Sequence, residues 1–267
     1  MAKAIKHIRA GLLNIEIIGT VPEQKERRGR AGRSRPTSAA QQFYNNKCSW
    51  QELELVLAQN FGRGDMVVAL TYDDEHLPGS KAEAKRNIKK FFRKLRESRR
   101  KRDEDLRYIY VTEGFHGIDE DAQFGRDSVL EDKRLHHHLV INGRDTDELR
   151  SLWEFGEVRR PEPVDIHYYR ECAKYLTKEA REEGRSKPGE RTWCCSRNLD
   201  RDFEVEYYDI PMDGVTLIAP EGAIDYTQFH EKNPYGYSDC IGARYLLYPK
   251  ETPQPLSYAA GRTSNKA

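Results

Sequence analysis

The sequence LHHHLVIN at residues 135–142 places three consecutive histidines inside an apolar run. Its composition predicts a β-strand, in which side chains alternate between the two faces. His136 and His138 therefore share one face, about 7 Å apart along the backbone, whereas His137 points to the other. Two imidazoles on one face can bind one divalent ion and leave coordination positions open. We favour this metal pair over the alternative, a histidine-rich strand end that faces solvent.

The preceding strand is predicted at residues 107–112, with the sequence RYIYVT, and Glu113 follows it directly. If the two strands pair, the Glu113 carboxylate can lie beside both imidazoles. Two histidines and one carboxylate leave positions for water and for a substrate oxygen, and carboxylate oxygen suits Mg²⁺ and Mn²⁺. A surface glutamate at a strand end is the alternative. In that case Asp73 or Asp74 would be the next candidate for the third ligand.

The segments around these two strands alternate between strand and helix patterns. Their order, β-α-β-β-α-β followed by a further helix, predicts an α+β fold. It indicates a ferredoxin-like, split βαβ arrangement with a central antiparallel sheet. The other predicted elements are a strand at 66–72, a helix capped by Ser80, a short helix at 146–155, an edge strand at 158–164 and a helix at 165–182.

The two ends of the chain have weaker patterns than this central part. We predict an N-terminal extension at 1–62, a central domain at 63–199 and a C-terminal extension at 200–267. Within the extensions we expect an Arg-rich loop at 23–36, a helix at 50–60, strands at 215–219 and 243–248, and a disordered tail from 251.

Charge is distributed unevenly, although the net charge is only +1. Residues 81–102 contain twelve Lys or Arg and two Glu, a local charge of +10. Residues 200–239 contain ten acidic residues against two basic ones. The basic side of the predicted helix could follow a phosphate backbone, whereas a solvated helix face is the alternative. The candidate nucleic-acid contacts on this helix are Arg86, Lys89, Lys90 and Arg93.

The helix predicted at 165–182 supplies a candidate nucleophile. Tyr175 and Lys178 are three residues apart and so share a helix face. A phenol has a pKa near 10 and attacks poorly unless its target is polarised, which a metal on a phosphate oxygen would do. Lys178 could stabilise charge on the phosphate or favour the phenolate. The spacing alone is not specific, because Y-x-x-K is common in amphipathic helices.

Several other classes of protein are disfavoured. No stretch approaches the roughly 18 apolar residues of a membrane span, and no clear signal peptide begins the chain. The five cysteines form no C-x-x-C pair, which argues against a zinc site and a secreted disulfide framework. We therefore expect a cytoplasmic protein with reduced thiols and no membrane partner.

Four motifs occur in a characteristic order and resemble one known family. They are TYDDEHLP at 71–78, TEG at 112–114, HHH at 136–138 and YLTKE at 175–179, with SRNL following at 196–199. Together they resemble the HUH rolling-circle replication initiators, especially those of small single-stranded DNA phages and related plasmids. The likeness covers residues 66–199, roughly half of the chain. It implies an HUH fold with N- and C-terminal additions.

The resemblance also assigns roles to individual residues. It implies that Glu113, His136 and His138 bind Mn²⁺ or Mg²⁺, that Tyr175 is the nucleophile and that Lys178 assists it. Thr71 and Tyr72 would belong to a DNA-contacting motif. Some phage initiators carry two tyrosines separated by three residues on this helix, but Glu171 occupies the second position here. We therefore predict a single-tyrosine enzyme, with Tyr168 about 10 Å away along the helix axis.

The activity implied by the resemblance is nicking of single-stranded DNA at an origin. Tyr175 would keep the 5′-phosphate covalently, release a 3′-hydroxyl and later rejoin strands. A separate helicase and polymerase, from a bacterial host or the genetic element, would be needed, since the sequence has no G-x-x-x-x-G-K-[ST] motif. One alternative is a relaxase or single-tyrosine transposase of the same superfamily. The other is a non-catalytic, RRM-like protein that stacks bases on Tyr108 and Tyr110.

Overall fold

The computed structural model describes residues 3–20, 38–114, 135–178, 191–210, 216–231 and 240–248. They form ten strands and four helices, arranged around two five-stranded antiparallel sheets. The strands are β1 (Lys3–Ala10), β2 (Leu13–Thr20), β3 (Met66–Tyr72), β4 (Tyr108–Glu113), β5 (His136–Ile141), β6 (Gly156–Pro163), β7 (Cys194–Cys195), β8 (Glu204–Asp209), β9 (Ile224–Glu231) and β10 (Cys240–Leu246). The helices are α1 (Ala39–Asn60), α2 (Lys81–Arg100), α3 (Thr146–Leu152) and α4 (Tyr169–Leu176).

The central sheet has the strand order β6-β3-β5-β4-β7. Side chains on one face pack with α2 and α3, and those on the other face pack with α1 and α4. The chain order β3-α2-β4-β5-α3-β6-α4-β7 confirms the predicted α+β arrangement, consistent with an HUH or ferredoxin-like fold. The strand with two prolines, β6, lies at the edge of the sheet as predicted, where a missing amide proton costs no ladder hydrogen bond.

The basic helix α2 forms for local reasons that the sequence makes clear. The Ser80 hydroxyl accepts from the Glu83 amide at 3.2 Å, and this cap satisfies one free donor of the first turn. A stripe of apolar side chains then packs onto the central sheet. These buried residues are Ala84, Ile88, Phe91, Phe92 and Leu95.

The second sheet has the order β8-β1-β2-β10-β9 and was not predicted. It joins the beginning of the chain to its last third, because Ala4 pairs with Asp209 and Ile18 pairs with Ile241. The sheet packs on α1, so that Leu13 and Leu57 belong to one hydrophobic core. The two predicted extensions are therefore parts of one sheet.

Several predicted boundaries differ from the structure. Helix α1 begins eleven residues before the predicted 50–60 segment, because Ser38 rather than Ser49 caps it. The strand predicted at 243–248 corresponds to β10, but residues 216–219 form no strand. Helix α4 begins at Tyr169 rather than 165 and ends at Leu176. The predicted loop at 23–36 and the tail from 251 lie outside the described residues.

No helix in the described ranges combines the length and apolar character needed to cross a membrane.

Candidate metal centre and adjoining tyrosine

Strand pairing brings Glu113 and the two histidines together on one face of the central sheet. Glu113 lies directly opposite His136 in the β4–β5 register. One Glu113 carboxylate oxygen, Oε2, lies 3.8 Å from His136 Nε2 and 3.4 Å from His138 Nε2. The two Nε2 atoms are 3.0 Å apart. The predicted register is therefore confirmed, and the three side chains form one cluster.

This cluster fits a divalent metal ion. The three ligand atoms lie within 4.8 Å of one another. The Glu113 Oε1 atom is buried and has no hydrogen-bond partner among the described residues, so a polar group in the site still needs one. The 3.0 Å separation of the imidazole nitrogens equals that of two neighbouring ligands each about 2.1 Å from one ion. Glu113, His136 and His138 are the residues that could hold the metal.

His137 points to the opposite face, as the alternation of side chains predicted. It is fully buried, and its ring nitrogens lie 2.8 Å from the Tyr72 hydroxyl and 2.8 Å from the Thr112 hydroxyl. Burial lowers the pKa of His137 to about 3, so the ring is neutral near pH 7. One ring nitrogen then donates while the other accepts. His137 is part of the core beneath α2.

Helix α4 places Tyr175 at the edge of the metal cluster. Its hydroxyl lies 3.3 Å from His138 Nε2, and half of the side chain is exposed to solvent. Burial of the other half raises the pKa of the phenol, and the Glu113 carboxylate raises it further, whereas the Arg160 charge lowers it. The phenol is therefore protonated near pH 7, and its oxygen is accessible to a strand of DNA.

The other residues predicted on this helix are placed less directly. Lys178 lies two residues beyond the end of α4 and is half-buried, and no described contact joins it to Tyr175. Tyr168 is exposed at the opposite end of α4. Arg160 was missed from the sequence. It lies in an irregular part of β6 with a φ angle of 49°, which no periodic pattern indicates.

A cleft of about 390 Å³ adjoins His136. Thr71 lies opposite His136 in the β3–β5 register, so the two residues line the cleft from neighbouring strands. Tyr72 also lines it, but its ring is buried and its hydroxyl is engaged by His137, which leaves little of this side chain for DNA. The Asp73 carboxylate accepts from the His76 amide and is not part of the metal cluster.

The basic helix lies on the far side of the central sheet from the metal cluster. Its buried stripe packs on the face that contains His137, whereas His138 and Tyr175 are on the other face. Lys90 and Lys94 form ion pairs with Glu154. The other predicted DNA contacts on this helix, Arg86, Lys89 and Arg93, are exposed.

The exposed aromatic surface that an RRM-like protein needs is absent from the described sheet faces at the two tyrosines concerned. Tyr110 is buried, and the Tyr108 ring stacks on Phe92 of α2 at 3.6 Å between centroids. Helix α2 thus covers the side of the sheet on which bases would stack. This alternative is therefore disfavoured.

Comparison with known proteins identifies a related family for the segment that holds the site. Residues 65–181 match the family model of the replication-associated protein ORF2. This segment includes Glu113, both metal-facing histidines and Tyr175. No curated protein and no solved structure matches the chain significantly.

Proposed function

From the match of residues 65–181 to replication-associated proteins, which supports a replication initiator, we propose an enzyme that nicks and rejoins single-stranded DNA at an origin. The observation that carries the proposal is the position of Tyr175. Its half-exposed hydroxyl lies 3.3 Å from His138, within a cluster that can hold a metal. A nucleophile beside a Lewis-acid site is the arrangement that phosphoryl transfer requires.

In the proposed reaction the Tyr175 oxygen attacks the scissile phosphorus. The bond from phosphorus to the 3′ oxygen breaks, which leaves a 5′-phosphotyrosine and a free 3′-hydroxyl. The phosphodiester bond energy is retained, so a later 3′-hydroxyl can reverse the step and rejoin the strand. When bound by Glu113, His136 and His138, Mn²⁺ or Mg²⁺ would polarise the phosphate. Lys178 and Arg160 are the cations we propose to stabilise its charge.

The proposed DNA path uses both faces of the molecule. The cleft beside Thr71 and His136 would hold the nucleotide next to the scissile phosphate. The basic helix would contact a more distant part of the DNA, since the central sheet separates it from the metal cluster. A separate helicase and polymerase remain the proposed partners, in a bacterial host.

The decisive experiment is a covalent capture assay. The full chain is incubated with labelled single-stranded DNA from candidate origins and Mn²⁺, and the products are separated under denaturing conditions. We expect a covalent protein–DNA band whose digested peptide carries the nucleotide on Tyr175. An adduct on another residue, or a free 5′-phosphate with no adduct across the origins tested, would contradict the mechanism. Efficient joining to an unrelated DNA target would favour the transposase alternative.

Glu113→Ala should raise the metal concentration needed for cleavage by about tenfold or more, because it removes the only carboxylate of the cluster. Binding of single-stranded DNA in EDTA should not change. Cleavage is measured across a Mn²⁺ titration, with Glu157→Ala as the control, since this carboxylate lines the cleft outside the metal cluster. An unaltered titration for Glu113→Ala would remove Glu113 from the site. Glu113→His should restore part of the activity with Mn²⁺ or Co²⁺.

Lys89→Ala and Arg93→Ala should weaken DNA binding and flatten its dependence on salt. Removing one phosphate contact should reduce the log–log slope by about 0.7 on single-stranded DNA. Fluorescence anisotropy between low and moderate salt measures this slope. Lys94→Ala is the matched control on the same helix, because its charge is already paired with Glu154. Slopes that equal the wild-type value would show that this face of α2 is only solvated surface.

A further inference from the structure

The second sheet contacts α4 on the flank away from the metal cluster. At 100° per residue, Arg170 and Lys174 lie on one flank of this helix and Tyr175 lies on the other. Between these flanks, Ala173 and Leu176 are fully buried against the core. The tyrosine helix therefore has one apolar side, one side at the metal cluster and one basic side.

The basic side of α4 is held by Glu231, the last residue of β9. The Glu231 carboxylate pairs with Arg170 and also accepts from Lys47 of α1 at 2.7 Å. The Arg170 guanidinium lies 5.2 Å from the ring centroids of both Trp50 and Phe229. Its side chain is only 14% exposed, so the ion pair is shielded from the solvent that weakens surface pairs.

A second ion pair strengthens the same junction. Arg244 of β10 lies 2.6 Å from the Glu54 carboxylate of α1, and both side chains are largely buried. Burial raises the pKa of Glu54, while the neighbouring Arg244 and Arg170 charges oppose this effect. The second sheet is thus fixed to α1 and α4 by buried charges as well as by apolar contacts.

The orientation of α4 has a large effect on Tyr175 because the side chain extends far from the helix axis. A tyrosine oxygen lies on the order of 9 Å from that axis, so a rotation of about 6° moves it by about 1 Å. A displacement of this size at a reacting atom can reduce a rate about 10²-fold. Helix α4 has only eight residues, so few other contacts resist such a rotation.

We propose that Arg170 and Glu231 are positioning residues through which the second sheet holds α4 at the rotation that places Tyr175 beside His138. The inference rests on the proposed role of Tyr175 as nucleophile. It gives the segments at both ends of the chain a function in the reaction, although they lie outside the matched residues.

Glu231→Gln and Arg170→Met test this proposal in the full chain. We expect the rate of covalent adduct formation at saturating DNA and Mn²⁺ to fall between tenfold and 100-fold in each. The Kd for DNA in EDTA should remain within about twofold of wild type. Arg170→Lys should recover part of the rate because it keeps the charge. Lys47→Met is the matched control, since it removes a partner of Glu231 but leaves the Arg170 pair in place.

A second readout is independent of cleavage. With 3-fluorotyrosine incorporated only at position 175, the single ¹⁹F resonance should shift or broaden in Glu231→Gln but not in Lys47→Met. Denaturant unfolding of each variant shows that the resonance is compared between folded proteins. An unchanged resonance with a wild-type rate would overturn the positioning role. A moved resonance in a protein whose wild type forms no Tyr175 adduct would support the positioning role and contradict the proposed nicking reaction.

Discussion

Tyr175→Phe is expected to lower the rate of DNA cleavage by about 10³-fold or more, because only the attacking oxygen is lost. The ring remains packed edge-on against His138, at 4.9 Å between centroids, so the local structure is preserved. The affinity for single-stranded DNA should stay within about twofold of wild type. Cleavage is measured in single-turnover conditions with Mn²⁺, and affinity is measured in EDTA.

Tyr168→Phe is the control for this result. Tyr168 is also exposed, but it lies at the other end of α4 from the metal cluster, so its loss should leave the cleavage rate nearly unchanged. If Tyr175→Phe kept substantial activity and Tyr168→Phe lost it, Tyr168 would be the nucleophile.

The three consecutive histidines are expected to respond in two different ways to alanine. His136→Ala and His138→Ala should lose metal binding and at least about 10²-fold in cleavage, because each removes one of two imidazole ligands. His137→Ala should instead lower the free energy of unfolding by about 2–5 kcal/mol. It leaves a cavity in the core and removes the partner of the Tyr72 and Thr112 hydroxyls.

Isothermal titration with Mn²⁺ and denaturant unfolding separate these two effects. For His137→Ala, we expect metal affinity per folded molecule close to wild type, measured under conditions in which the protein remains folded. For the other two variants, we expect stability close to wild type and weak metal binding. Equal loss of metal affinity in all three variants would contradict the strand register.

The central part of the fold could be predicted because its signals are local. The cap at Ser80 and the apolar stripe of α2 identify a helix within one segment of sequence. The alternation of side chains in β5 separates His137 from its neighbours without knowledge of other elements. Glu113 needed one further assumption, pairing of β4 with β5, which consecutive antiparallel strands often satisfy.

The remaining features depend on contacts between distant segments. Strand β1 pairs with β8 across about two hundred residues, and neither strand has a strong apolar alternation. The periodicity of α2 shows which side of the helix is buried but not which face of the sheet it covers. For this reason the basic side chains were assigned to the substrate without knowledge that the central sheet lies between them and the metal cluster. Arg160 depends on a local irregularity of β6 that has no sequence signature.

The pairing of the chain's beginning with its last third also sets an order of events during synthesis. The hairpin of β1 and β2 emerges from the ribosome early, but its outer neighbours, β8 and β10, are translated about two hundred residues later. Until residue 246 has emerged, both edges of this hairpin lack their partner strands, and β9 cannot supply Glu231 to Arg170. A nascent or prematurely terminated chain can therefore carry every metal ligand and the tyrosine while lacking the anchor of α4. Nicking by incomplete chains is thereby disfavoured, and the release of a finished protein becomes a checkpoint for the proposed reaction.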